Sequence, residues 1–263
     1  MRINYRILTV VIIVVGLFFY VTTRPGGFLA DETQQASEQA ETEKPPLTNI
    51  RYTEQDPLIL VLDPGHGGDD GRKPVTMNEK KVYEKDLNLA IALAMKAELD
   101  KYSNVTVYMT RTSDKKMSLE DRDSFAKSVK ADFLMSIHCN ASDSHDSQGA
   151  CVITAYGNYK PEPAEIGRQA GRNILYYLEN DIGIRNNGLT TRLSEEKKYP
   201  DGSDADYYGL IRYAVSAGYP AVIVEHAYFD NGEDYEAFLD TDQKLAAIGA
   251  ADARAAAAYF RLY

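Results

Sequence analysis

Two stretches of this chain suit almost no environment except the middle of a sheet. Leu58-Ile-Leu-Val-Leu62 and Ala221-Val-Ile-Val224 carry no polar side chain, and Phe133-Leu-Met-Ser-Ile137 carries one. Such runs are too short for a buried helix and lack the alternation of a strand with one wet face, so each reads as a strand covered on both sides. Val105-Thr-Val-Tyr-Met109 and Ala150 to Tyr156 read as two more strands. Between them the apolar residues fall at helical spacing. Leu87, Ile91, Ala94, Met95 and Leu99 mark a helix over 86–101, and Ser118 caps one over 118–130. Ile166, Ala170, Ile174 and Leu178 mark a third, Tyr207 to Ala217 a fourth, and alanine-rich Leu245 to Phe260 a closing fifth. This alternation predicts an α/β fold over residues 56–263: a single three-layer domain with a twisted, mostly parallel sheet between helices. A chain of 263 residues, 44% hydrophobic, can bury one such core.

The first 24 residues differ in kind. Arg2 and Arg6 precede Ile7 to Val21, which has no charge and only Thr9, Gly16 and Tyr20 among apolar residues, and Arg24 closes the run. A helix crossing a bilayer needs about 17–25 mostly apolar residues, so this one is near the lower limit. It reads as a retained signal-anchor with its basic end inside, as a cleaved signal peptide whose best cleavage site is Phe28-Leu29-Ala30, or as a buried helix. Either of the first two exports everything after residue 24. Residues 25–55 are polar and acidic, with Pro45-Pro46 near their end, and predict a disordered linker. About 25 flexible residues span on the order of 25–30 Å, which would keep an anchored domain near the membrane. The net charge is −10; the first 24 residues contribute +3, which leaves −13 for the rest. A body this acidic repels phosphate backbones, so nucleic acid is not an expected partner.

Ligand sites in sheets of this type lie beyond the carboxyl ends of the strands. His66 follows the first strand in Asp63-Pro-Gly-His-Gly-Gly68, His138 follows the third in Ser136-Ile-His-Cys-Asn140, and Glu225-His226 follows the last. Glu84 opens the helix returning from the first strand, within reach of the same edge. Two imidazoles and a carboxylate are a common catalytic zinc set, with a fourth position for water and a further carboxylate to move its proton. Each residue also has a plainer reading. His66 could cap a glycine-rich loop, His138 could be a satisfied core histidine, and Glu84 could be a solvated helix-start acid. Glu225 has the weakest plain reading, because a carboxylate ending a buried apolar strand must be paired, metal-bound or functional.

The ordered set Leu62-Asp-Pro-Gly-His-Gly-Gly68, Glu84-Lys-Asp-Leu-Asn-Leu89, Thr110-Arg-Thr-Ser-Asp114, Ser118-Leu-Glu-Asp-Arg122, Ser136-Ile-His-Cys-Asn-Ala141, Asn187-Gly-Leu189 and Tyr219-Pro-Ala-Val-Ile-Val-Glu225 resembles the zinc-dependent N-acetylmuramoyl-L-alanine amidases, over about residues 57–260. The resemblance implies that His66, Glu84 and His138 hold Zn2+ and that Glu225 is the catalytic acid/base. It implies hydrolysis of the amide between the lactyl group of N-acetylmuramic acid and L-alanine in peptidoglycan; the enzyme is expected to be a monomer and, from its N-terminal run, extracytoplasmic. Asp63, Asn140 and His226 are candidates to orient the ligands or meet substrate, while Arg111 and Arg122 are expected to hold strand and helix together. A zinc peptidase cutting within the stem peptide and a non-catalytic wall-binding module are the competing readings.

The chain departs from the usual family pattern in three places. His226 stands where a small or hydroxyl residue is commoner. The loop Asp69 to Tyr83 is long, with Lys73, Lys80 and Lys81 and then Lys85 just beyond it. Thr191 to Asp206 is a polar insertion expected beside the site. Cys139 should face away from His138 on its strand. It can pair with Cys151 only if their strands are neighbours.

Overall fold

The computed structural model describes residues 36–38 and 51–263. The segment expected to be a membrane helix, and most of the expected linker, lie outside the described residues. Among the described residues no helix is long and apolar enough to cross a membrane.

In chain order the elements are strand β1 (Ala36–Glu38), strand β2 (Leu58–Pro64), a hairpin of β3 (Val75–Met77) and β4 (Lys80–Val82), and helix α1 (Glu84–Leu99). Then come β5 (Val105–Met109), α2 (Leu119–Ser128), β6 (Phe133–Asn140), β7 (Ala150–Ile153) and α3 (Pro161–Tyr177). The chain continues through β8 (Asn186–Thr191), a second hairpin of β9 (Leu193–Lys198) and β10 (Asp204–Asp206), α4 (Gly209–Ala217) and β11 (Ala221–Tyr228). It ends with the short turn α5 (Gly232–Asp234) and the long helix α6 (Asp242–Phe260).

Seven strands form the main sheet in the order β1-β8-β7-β11-β6-β2-β5. The four at one end, β5, β2, β6 and β11, are mutually parallel. β7 runs antiparallel to β11 but parallel to β8, so the sheet is mostly parallel rather than wholly so. Ala36–Glu38, inside the stretch expected to be disordered linker, instead pairs antiparallel with β8 at the sheet edge. The Thr191 to Asp206 insertion, expected as a polar loop, folds as the β9–β10 hairpin.

Period-two alternation distributes each central strand between two cores. Leu60, Leu62, Phe133, Met135, Val222 and Val224 pack under α1, α3 and α6. Val61, Leu134 and Ile223 face α2 and α4 on the other side. The alanine content of α6 has a packing cause. A Cβ on Gly249 would lie 2.6 Å from the Ile91 carbonyl oxygen and 2.7 Å from the Met95 nitrogen, so α6 and α1 meet backbone to backbone. Helix α2 starts where Ser118 predicts, closed by a reciprocal cap: the Asp121 amide donates to Ser118 Oγ at 3.0 Å and the Ser118 amide to Asp121 at 3.4 Å. Because α1 and α2 cover opposite faces, the carboxyl ends of β2 and β6 open into a crevice between them.

Cys139 and Cys151 are both free thiols. Their strands are not neighbours, since β11 lies between β6 and β7. Two strand spacings, about 9.6 Å, exceed what a disulfide bridges.

Candidate metal centre

His66 reaches the crevice from a loop with an unusual backbone. Its φ is 61°, in the left-handed region, which costs a residue with a Cβ about 1–2 kcal/mol. Two buried arginines offset that cost. Arg111 donates to the carbonyls of Pro64 and Gly65, each at 2.9 Å, and to Lys85 O at 2.7 Å. Arg122 donates to Pro64 O at 3.0 Å and His66 O at 2.8 Å, and pairs with Asp63. All three carbonyls from Pro64 to His66 are therefore held by guanidinium groups. Asp63 is 1% exposed and also accepts from Thr110 Oγ1 at 2.5 Å and Ser136 Oγ at 2.8 Å. It anchors the loop through these three partners, without a hydrogen bond to either imidazole. Gly65 is required by proximity, because a Cβ there would sit 2.2 Å from the His138 ring.

Glu84, the first residue of α1, is 6% exposed and joins the two histidines. One carboxylate oxygen lies 3.1 Å from His66 Nε2 and the other 2.9 Å from His138 Nδ1. The imidazoles stand edge to face with centroids 4.9 Å apart. Asn88, one helical turn on, donates to Glu84 at 3.2 Å and to Gly65 O at 3.3 Å, tying helix to loop. Sequence reading missed Asn88, although its i+4 spacing from Glu84 signals it. Burial alone would raise the Glu84 carboxyl, but hydrogen bonds to His138 and His66 outweigh it and hold the group well below the carboxylate range. Burial likewise opposes charge on His138, and Glu84 overcomes it, lifting the imidazole to about 9.

The donor atoms of His66, Glu84 and His138 all lie within 4.8 Å of one another. Neighbouring ligands of a tetrahedral zinc ion are about 3.3 Å apart for metal–ligand bonds near 2.0–2.1 Å, close to the 3.1 and 2.9 Å contacts here. Two imidazoles and one carboxylate thus fit a zinc ion in chemistry and in spacing.

Glu225 lies on β11 in register with His138 on one side and Cys151 on the other. It lines a polar cleft with Asn140, Cys151, Thr190, Tyr208 and Tyr228. Burial raises its carboxyl; His138 opposes the shift and Glu84 adds to it. Asn140 borders this cleft and accepts the Ala141 amide at 2.8 Å. His226 points to the other face, fully buried. It contacts Asp252 of α6 at 2.8 Å and the backbone oxygen of His138 at 2.9 Å. Its reach to the site is through the main chain of His138. Tyr208, unremarked in the sequence, borders both this cleft and the pocket holding His66 and His138.

Residues 60–258 match the family described as N-acetylmuramoyl-L-alanine amidase. Over 185 residues the chain is 33% identical to the "Probable cell wall amidase LytH" of Staphylococcus aureus, covering 69% of this chain and 52% of that one. Over 97 residues it is 40% identical to the "Probable N-acetylmuramoyl-L-alanine amidase AmiB" of Haemophilus influenzae, 36% of this chain and 22% of that one. The chain thus spans about half, or less, of the length of these curated relatives. Among solved structures, the catalytic domain of CwlV, an N-acetylmuramoyl-L-alanine amidase from Bacillus (Paenibacillus) polymyxa var. colistinus, superposes with a TM-score of 0.61 at 25% identity, covering 78% of this chain and 99% of that one. Cwp6 from Clostridium difficile gives 0.64 at 29%, covering 76% and 28%.

Proposed function

The chain belongs to the N-acetylmuramoyl-L-alanine amidase family, and from that premise we propose that it hydrolyses the amide between the lactyl group of N-acetylmuramic acid and the L-alanine of the peptidoglycan stem. The observation that carries this reading is a half-buried, raised carboxyl, Glu225, one strand from a ready-made His66–Glu84–His138 ligand set. Those three residues would hold zinc. Bound zinc supplies Lewis acidity, making water more acidic and polarising a carbonyl.

The chain's own residues supply the rest. Glu225 takes the proton of the water that attacks the lactyl carbonyl and then gives it to the departing alanine nitrogen. A raised pKa suits both roles, since the same carboxyl must be base and then acid. Asn88, Arg111 and Arg122 keep the ligand loop and α1 in register, so the ligands need little rearrangement. One copy contains the whole constellation, which supports a monomeric enzyme. The apolar run Ile7 to Val21 behind Arg2 and Arg6 supports anchoring to the outer face of the membrane, with peptidoglycan as substrate.

The test incubates the full chain with purified peptidoglycan, with and without chelator and returned zinc, and identifies products by mass spectrometry. Stem peptides with a new N-terminal alanine, abolished by chelator and by Glu225→Ala, are expected. Cuts inside the stem would replace this reading with the peptidase. No product with zinc present would replace it with the wall-binding module.

A further inference from the structure

Arg192, between β8 and β9, lies in the insertion that departs from the family pattern. Its carbonyl accepts the Tyr207 amide at 2.9 Å, closing the base of the β9–β10 hairpin. Its guanidinium lies 3.8 Å from the Tyr207 ring centroid. Tyr207 is 47% exposed and stands edge to face with Tyr208 at 5.3 Å. Tyr208 in turn borders both the metal-ligand pocket and the Glu225 cleft, and the charges of Glu225 and Arg192 both reach its hydroxyl. Arg192 therefore stands one aromatic layer from the point where the two halves of the groove meet.

Three other cations have partners. Lys116 pairs with Asp69 at 2.9 Å, Arg122 with Asp63, and Arg212 donates to the carbonyls of Asp206 and Tyr207 at 2.8 and 3.0 Å. Arg192 has no hydrogen-bond acceptor and no acidic partner among the described residues. Stacking fixes the plane of its fork and leaves its N–H groups open, which matches a carboxylate in geometry and charge.

We propose that Arg192, held on the Tyr207 ring, reads a carboxylate of the stem peptide on the leaving-group side of the scissile bond. It selects stems whose second residue, a glutamate, keeps its α-carboxyl free over those that carry it as carboxamide. That group follows the released alanine directly, about 7 Å away along an extended chain. This inference rests on the amidase reading and names the feature of the substrate that the groove selects.

The test uses the zinc-loaded full chain and two synthetic muramoyl peptides that differ only in that carboxyl or carboxamide. The wild type is expected to favour the free acid about tenfold in kcat/KM, the scale of one charge-assisted hydrogen bond, with the difference in KM. Arg192→Gln brings the ratio to about one, Arg192→Lys keeps part of it, and Tyr207→Leu, which frees the guanidinium, lowers it. A wild-type ratio near one, or a ratio unchanged in Arg192→Gln, overturns the inference and leaves the amidase reading standing. If Arg192→Gln does not fold, an unchanged ratio in both Arg192→Lys and Tyr207→Leu overturns it. Hydrolysis of neither peptide by the wild type overturns both.

Discussion

Arg122 illustrates how one buried side chain decides whether His66 can be a ligand at all. It neutralises Asp63 and fixes two carbonyls of a loop held at positive φ. Arg122→Ala leaves the Asp63 charge buried, and breaking such a pair costs about 3–5 kcal/mol; denaturant melts of the two proteins measure it. Gly65→Ala acts differently, because the added methyl lands on the His138 ring. We expect a folded protein whose zinc affinity falls by at least tenfold, read by competition with a chromogenic chelator. Equal affinity would show that the ring can move aside without loss. Glu225→Gln should keep zinc at full stoichiometry and lose about 10²–10⁴ in hydrolysis rate, the usual contribution of a positioned acid/base. Metal analysis beside turnover separates these two outcomes.

At the scale of elements, β11 carries adjacent residues with opposite destinations. Glu225 faces the groove, and His226 faces α6 and meets Asp252. Burial lowers the His226 imidazole, but Asp252 and the His138 carbonyl outweigh it, so its pKa is raised. A group whose pKa is higher folded than unfolded stabilises the fold fully below about pH 6.5, its unfolded value, and loses that contribution as pH rises through the folded value. Unfolding free energy should therefore decline across that window in the wild type, and Asp252→Asn should flatten the decline. A slope unchanged in the variant would assign the titration elsewhere.

The same scale shows what sequence could reveal. Continuous apolar runs placed β2, β6 and β11, because two covered faces leave no room for polar residues. Strand ends pointing at one edge suggested His66, His138 and Glu225, and the returning helix suggested Glu84; the structure brings His66, Glu84 and His138 together and sets Glu225 in the adjoining cleft. The strand β8, in Asn186-Asn-Gly-Leu-Thr-Thr191, and the hairpins were not found, since β8 has Leu189 as its one large apolar residue and the short hairpin strands are polar. The partner of His226 was not found because nothing local to β11 names a residue on a distant helix. Asp252, set amid the alanines at the middle of that helix, was the available hint.

Across the whole molecule, the ligand set ties β2, α1 and β6 into one unit, so metal loading should register as global stability. Zinc at 100 times its dissociation constant would add about 2.7 kcal/mol. Chelator should lower the melting temperature of the wild type and leave Glu84→Ala unmoved, as scanning calorimetry can show.

The strand order has a consequence in time. β11 is the last strand of the main sheet to be made, yet it lies in the interior between β6 and β7. A chain growing from its amino terminus holds His66, Glu84 and His138 long before Glu225 exists. Until β11 arrives, β6 and β7 lack the strand that pairs with both of them, and the proposed acid/base has not been synthesised. On the proposed function, a half-made chain would be unable to cut, and its unpaired strands would invite aggregation or proteases. On the same reading, the strand that completes the sheet also delivers the acid/base, so folding itself would keep the activity silent until it is complete.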